Sequence, residues 1–295
     1  MLPAASDMTH GRAVAGMLLV TLMWSIAGVV TRQLESARSF EVTFWRSLAT
    51  CVCLGVYYAW AHGRDTFALL RAGGRPLWIS SLMWSVMFTC FMVALTLTTV
   101  ANVLITMALA PLMTAVLARF TLGHPVARRT WAAIVLAGLG IAYMYGQGVS
   151  SEPQHVIGTL VALGVPIASA INWNTLQRSG TTVDLVPALL LGALVSAIVT
   201  LPLSLPLQAS VHDVALLGLL GLVQLAIPCV LAVRLARHLP APEMSLLALL
   251  EIVFGIAWAW LGTSEQPSMA VIVGGSLVLG TLFVNAWVGL REARA

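Results

Sequence analysis

Residues 13–31 read AVAGMLLVTLMWSIAGVVT, an apolar run bracketed by Arg12 and Arg32. Its length matches the ~20 residues an α-helix needs to cross a hydrocarbon core about 30 Å thick. The run is long enough to span, and Ser25-Ile26-Ala27-Gly28 is a poor cleavage site, so the segment is expected to remain as a first helix rather than leave as a signal peptide. Nine further blocks follow, at 41–61, 77–97, 100–120, 130–146, 156–177, 185–205, 213–233, 242–262 and 268–288. Thr98-Thr99 join the third and fourth tightly, Pro202 and Pro206 end the seventh, and Arg291 and Arg294 close the tenth.

The bulk composition agrees. Of 295 residues 59% are hydrophobic and only 9% charged, with a mean hydropathy of +0.94. A soluble globular chain carries about 25% charged residues, so a water-soluble enzyme of this size is excluded and no sizeable soluble domain fits between the blocks. Every one of the 15 basic residues is Arg. They sit singly or in small groups between apolar blocks, without the basic stripe that nucleic acid requires. Cys51, Cys53, Cys90 and Cys229 all lie inside apolar blocks and form no CxxC or Cys/His pattern, which reads as small buried side chains with no metal and no cofactor.

The arginines set an orientation. With the N-terminus in the cytoplasm, Arg12, Arg64, Arg71, Arg75, Arg119, Arg128, Arg129, Arg178, Arg234, Arg237, Arg291 and Arg294 lie inside, and only Arg32 and Arg38 outside. Arg46 is left within the membrane. The asymmetry predicts ten crossings with both termini cytoplasmic, in a membrane of the bacterial inner type.

An internal repeat divides the chain. Gly16 to Val20 opens the first block and Gly158 to Ala162 the sixth; Leu109-Ala110-Pro111 through Gly123-His124 aligns with Leu250-Glu251-Ile252 through Ser264-Glu265; Ala137-Gly138 matches Leu279-Gly280. Each half, 1–148 and 149–295, holds five blocks. An odd number places the second half upside down in the membrane, and the charges agree: the Thr98-Thr99 loop has no Arg while its counterpart has Arg234 and Arg237. The expected fold is therefore all-α and integral to the membrane, with ten transmembrane helices as two inverted five-helix repeats around a central cavity. Inverted repeats of this kind typify secondary transporters, with the site at the repeat interface.

Phe44-Trp45-Arg46-Ser47 in the second block, Ala108 to Ala115 through Leu122-Gly123 in the fourth, and Leu249-Leu250-Glu251-Ile252-Val253 in the ninth resemble the EamA-type ten-helix exporters of the drug/metabolite transporter superfamily. The usual Glu after Leu122-Gly123 is His124 here, and the usual Pro after the Glu of the ninth block is Ile252. The resemblance implies a cavity lined by blocks one, three, four, six, eight and nine, with five and ten at the periphery. It also implies export of small metabolites, of which amino acids, including aromatic ones, are a well-populated class.

Polar groups in hydrocarbon are costly unless they face protein or a wet cavity, so polar residues at helical spacing mark inward faces. Block one offers Thr21 and Ser25 beside Trp24. Block three offers Ser81, Ser85 and Thr89 beside Trp84 and Phe88, and block four Thr99, Asn102 and Thr106. Block six offers Ser169 and Asn172 beside Trp173, and block eight Gln224 one turn before Pro228. The bland reading of the hydroxyls is close helix packing; the amides need more partners and point more strongly to a cavity. Trp24 and Trp84 could stack on an apolar ligand or simply fill the core. Pro111, Pro166 and Pro228 each remove a helix hydrogen bond, which suits either static kinks or gating hinges.

Two charges stand out. Glu251 lies near mid-depth of the ninth block, where a carboxyl group is a candidate proton carrier, or is held by a structural partner such as Arg46. Arg46 either snorkels or pairs structurally, or draws a substrate carboxylate outward. The expected partners are a small-molecule substrate, the lipid bilayer and protons as a candidate coupling ion, with monomer and homodimer both compatible. The expected function is an alternating-access exporter of small metabolites, amino acids first. A channel-like facilitator and an exporter of nucleobases or drugs are the alternatives. An intramembrane enzyme is disfavoured by the lack of HExxH, GxSxG, an intramembrane Asp pair or an intramembrane His.

Overall fold

The computed structural model describes residues 9–63, 65–123, 127–148, 153–179, 185–235, 238–239, 241–263 and 268–294. Among these every regular element is helical. In chain order they are α1 (His10–Ser25), α2 (Ala27–Thr31), α3 (Phe40–His62), α4 (Asp65–Ala72), α5 (Gly74–Leu97), α6 (Val100–Met107), α7 (Ala110–Leu122), α8 (Arg128–Gly148), α9 (Pro153–Ala162), α10 (Gly164–Ser179), α11 (Pro187–Thr200), α12 (Val211–Leu219), α13 (Ile227–Leu235), α14 (Ala241–Gly262) and α15 (Met269–Arg294). A 3-10 turn at Pro202–Ser204 follows α11, and a π-helical stretch at Leu220–Ala226 joins α12 to α13.

Helix occupies all ten apolar blocks, with α4 in the connection after the second. Six stretches are long and apolar enough to cross a membrane: His10–Thr31, Gly74–Leu97, Val100–Thr121, Gln154–Thr175, Val211–Ala232 and Met269–Gly289. Pro187–Thr200 and Leu250–Gly262 are shorter apolar helices. The seventh block ends at Thr200 rather than 205, because Pro202 has no N–H to continue the ladder and the chain tightens into the 3-10 turn. The tenth runs on to Arg294. Arg64, His124, Arg237, Ser264 and Glu265, used above for orientation or repeat alignment, lie outside the described residues.

Four blocks are broken, and the breaks have causes. A proline at position i leaves the carbonyl at i−4 without its donor. Pro111, Pro166 and Pro228 therefore free the carbonyls of Met107, Ala162 and Gln224. The chain breaks at Ala108–Leu109, at Leu163 and over the π stretch, each just ahead of its proline. The first block breaks at Ile26 with no proline. There the hydroxyls of Thr21 and Ser25 donate back to the carbonyls of Leu18 and Leu22, both at 2.8 Å, a pattern that bends helices.

Packing follows a regular plan. α1 lies against α14 and α13, while α10 lies against α7 and α5; α3 meets α12 and the π stretch, while α11 meets α5; α3 and α11 pack together, as do α8 and α15. Small residues allow close approach. A Cβ on Gly192 would fall 2.6 Å from the Cβ of Trp84, and one on Gly221 would fall 2.7 Å from Ala49 Cβ and from the Arg46 carbonyl oxygen. Large apolar side chains such as Trp131, Leu139, Phe283 and Trp287 stay exposed on α8 and α15, as helices facing lipid require.

Candidate functional site

The interior is organised around Arg46, the seventh residue of α3. It is 1% exposed. Its Nη1 donates to Gln224 Oε1 at 3.0 Å and its Nη2 to the Phe88 carbonyl at 2.9 Å. The guanidinium carbon lies 5.7 Å and 5.6 Å from the ring centroids of Phe88 and Phe91, within cation–π reach. Its Nε is buried without a hydrogen-bond partner, as is Thr43 Oγ1 one turn earlier. Arg46 therefore does not snorkel: its fork is spent on an amide, a carbonyl and two aromatic faces inside the bundle. Gln224 belongs to the π stretch, whose wider turn is held against α3 by a second bond, from Thr50 Oγ1 to the Gly221 carbonyl at 3.1 Å.

An aromatic wall adjoins it. The ring centroids of Trp84 and Phe88 are 5.5 Å apart. Trp24 and Trp84 both border a buried cluster that includes Leu54, Phe88, Leu189 and Cys229. Glu251 is the eleventh residue of α14, about 15 Å along the helix from its start. It is half-buried, accepts no hydrogen bond among the described residues and forms no ion pair with Arg46. The structural pairing of Glu251 with Arg46 considered from sequence is thus absent; Gln224 and Phe88 take its place.

The remaining candidates separate from this group. Ser25 donates to Leu22 and accepts from Trp258 Nε1 at 3.1 Å. Ser81 donates to Leu77 within its own helix at 2.7 Å. Ser85 is buried where α5 meets Gly192. Thr106 donates to the Asn102 carbonyl, and Asn102 Nδ2 to Thr98 Oγ1 at 3.1 Å, at the junction of α5 and α6. Asn172 is buried and accepts from Ser80 at 2.6 Å. Trp24, Trp84, Arg46 and Gln224 come together around Phe88; Asn102 and Thr106 gather around Thr98; Asn172 faces Ser80. Trp173, Trp258 and Trp260 are exposed.

Among the described residues, three buried amide or carboxylate side chains escaped the sequence reading. Asn174 donates to the carbonyls of Thr114 and Ala170 and accepts from Thr121. Glu41 and Asp213 are buried carboxylates near the starts of α3 and α12. Asp213 carried a legible signal: Ser210 and Asp213 form a capping box at the head of an apolar run. Glu35, His212 and Asp213 bring three ligand-type atoms within 4.8 Å of one another. The Asp213 oxygens are already taken up by backbone N–H groups, so this group reads as a fastening rather than a metal centre.

Known proteins place this architecture. Residues 11–146 match the model of the EamA-like transporter family. That stretch, 136 of the 295 residues, is similar to the EamA-like transporter family. The likeness is to a family of multi-pass membrane transporters of small molecules, and the apolar helices described above agree with a multi-pass membrane protein. Thirteen chains of solved structures match it. One, described as "Crystal structure of protein", superposes with a TM-score of 0.64 over 97% of this chain and 100% of its own, at 17% identity. At that identity the likeness speaks for the fold alone. No curated protein matches the chain.

Proposed function

We propose that the protein is an alternating-access exporter of small metabolites, amino acids first, built from ten membrane crossings in two inverted halves, 1–148 and 149–295. The packing plan supports the inversion. Exchanging each block with the one five places along turns the pair α1–α14 into α10–α7, turns α1–α13 into α10–α5, and turns α3–α12 into α11–α5, while α3–α11 and α8–α15 map onto themselves. The contacts of the two aligned glycines agree. A Cβ on Gly16 would meet Leu235 Cδ1 at 3.1 Å, and one on Gly158 would meet Leu97 Cβ at 2.9 Å; each leucine ends its own helix, third block or eighth.

The observation that carries the site is the convergence of Trp24, Trp84, Gln224 and Arg46 around Phe88, with Glu251 half-buried at mid-depth of α14. Aromatic walls suit an apolar or aromatic side chain, the unpartnered Nε of Arg46 is the donor left for a carboxylate, and Glu251 is the carboxyl group available to an ammonium or a proton. Pro111, Pro166 and Pro228 are the hinges of this reading, and the termini are cytoplasmic. The test is flux of an amino-acid panel into liposomes carrying the purified protein, with and without a pH gradient. Saturable flux with counterflow acceleration is expected for a carrier. Flux that never saturates overturns the reading. In Glu251→Gln the response to the pH gradient should disappear while substrate-driven counterflow persists; an undiminished response removes the proton role.

A further inference from the structure

Arg32 follows the last residue of α2 and reaches across to a different helix. Its Nη1 donates to the Leu95 carbonyl and its Nη2 to the Thr98 carbonyl, both at 2.7 Å. These are carbonyls at the C-terminal end of α5, where a helix leaves acceptors without donors and favours a cation. The short lengths are those of charge-assisted bonds. Thr98 is itself a junction: its hydroxyl accepts from Asn102 Nδ2 at 3.1 Å and lies 3.2 Å from His155 Nδ1. Gly28 packs against Val100 at the same end, and Gly158 against Leu97 and Thr98. The ends of α2, α5, α6 and α9 thus converge on one point.

The segment that carries Arg32 is fastened elsewhere. Asp213, fully buried, accepts from the backbone N–H groups of Glu35, Ser36 and Ala37 at 2.8, 2.9 and 2.8 Å, and from the Ser36 hydroxyl at 3.0 Å. In return Glu41 accepts from the N–H groups of Gln208 and Ala209 at 2.9 and 2.8 Å. Gln33 Nε2 donates to the Gly262 carbonyl at 3.2 Å. Two carboxylates thus exchange backbone donors between segments 35–41 and 208–213, tying α2, α3, α12 and α14 into one frame at this face. From that frame the Arg32 guanidinium extends to the α5 terminus. The contrast lies in the kind of bond: the frame is held by many backbone donors, whereas the C-terminal end of α5 is held from it by the Arg32 side chain.

We infer that Arg32 is the bolt of the extracytoplasmic gate, the contact that must release for substrate to leave, with Asp213 and Glu41 as the frame that aims it. The inference rests on the alternating-access reading above. Hydrogen–deuterium exchange of the intact protein in nanodiscs tests it. Losing two charge-assisted bonds should move the open-to-closed ratio by at least about tenfold. In Arg32→Gln, peptides covering 28–38, 94–104 and 153–160 should exchange faster. Peptides at the opposite ends, 55–63, 115–123 and 173–179, should exchange more slowly, because opening one face closes the other. Arg32→Lys keeps the charge without the fork and should fall between. A profile unchanged from the parent overturns the bolt, and so does faster exchange at 28–38 and 94–104 with no slowing at the opposite ends, which marks mere loosening. Reciprocal exchange with flux that never saturates would remove the carrier reading and leave the bolt; saturable flux without reciprocity would remove the bolt alone.

Discussion

Arg46 and Gln224 meet at 3.0 Å deep in the bundle, the first from α3 and the second from a π-helical turn 178 residues later. The amide oxygen takes one of the two Arg46 hydrogen bonds, and the Phe88 carbonyl takes the other. Gln224→Leu would strand Nη1 beside an Nε that already has no partner. A buried donor left unsatisfied costs about 1–3 kcal/mol, so thermal unfolding in detergent should show a clear loss. Adding Arg46→Met should restore part of it, because removing both members of a buried polar pair costs less than removing one. A double variant as unstable as the sum of the two singles would refute the pairing.

Glycines divide into two classes by what surrounds them. A Cβ on Gly221 would press on Ala49 and on the Arg46 and Thr50 backbone, whereas Gly138 and Gly280 have nothing within 4 Å. Gly221→Ala should cost about 1–3 kcal/mol through overpacking. Gly138→Ala and Gly280→Ala should be neutral or gain up to about 1 kcal/mol from helix propensity. Thermal unfolding of the three variants checks the ranking, and equal effects would mean that the close approach of α3 to the π stretch is unimportant.

The positions of the helices were legible because long apolar runs have one dominant solution in lipid, a helix that satisfies its own backbone. Three of the four breaks were legible too, since Pro111, Pro166 and Pro228 announce them. The break at Ile26 was not, because it arises from hydroxyl back-bonding at Thr21 and Ser25 that any Ser or Thr could make or decline. Within the candidate site, Trp24, Trp84, Gln224 and Glu251 were read from composition and depth, but which of the polar residues would meet depended on helix rotation. Periodicity fixes a face without saying what it faces. That is why Asn102 joined Thr98 and Asn172 joined Ser80, and why the partner of Arg46 turned out to be Gln224 rather than Glu251. Nothing in the sequence pairs the carboxylates of Glu41 and Asp213, and only the tertiary fold reveals that each serves the other's loop.

Asp213 gives a sharp case of a carboxylate that cannot be exchanged for its amide. All its polar contacts to the 35–37 segment are donors pointing at it. In Asp213→Asn one oxygen becomes an NH2 group that must face N–H groups. The expected loss is about 1–3 kcal/mol, read as a lower unfolding temperature. Glu35→Gln, at an exposed position on the same junction, should stay within about 0.5 kcal/mol. Indistinguishable behaviour of the two variants would show that the junction is solvated rather than locked.

Pro228 sits four residues after Gln224, so its missing N–H is the one that would have bonded the Gln224 carbonyl. The π stretch ends just before it, and Arg46 and Thr50 grip that stretch at Gln224 and Gly221. If the wide turn is a hinge, restoring the donor should favour a regular helix and rotate Gln224 away from Arg46. Pro228→Ala is therefore expected to keep or raise the unfolding temperature while lowering saturable flux several-fold. The two measurements separate a hinge from a static kink. A static kink predicts unchanged flux, and a proline needed only for packing predicts lower stability and lower flux together.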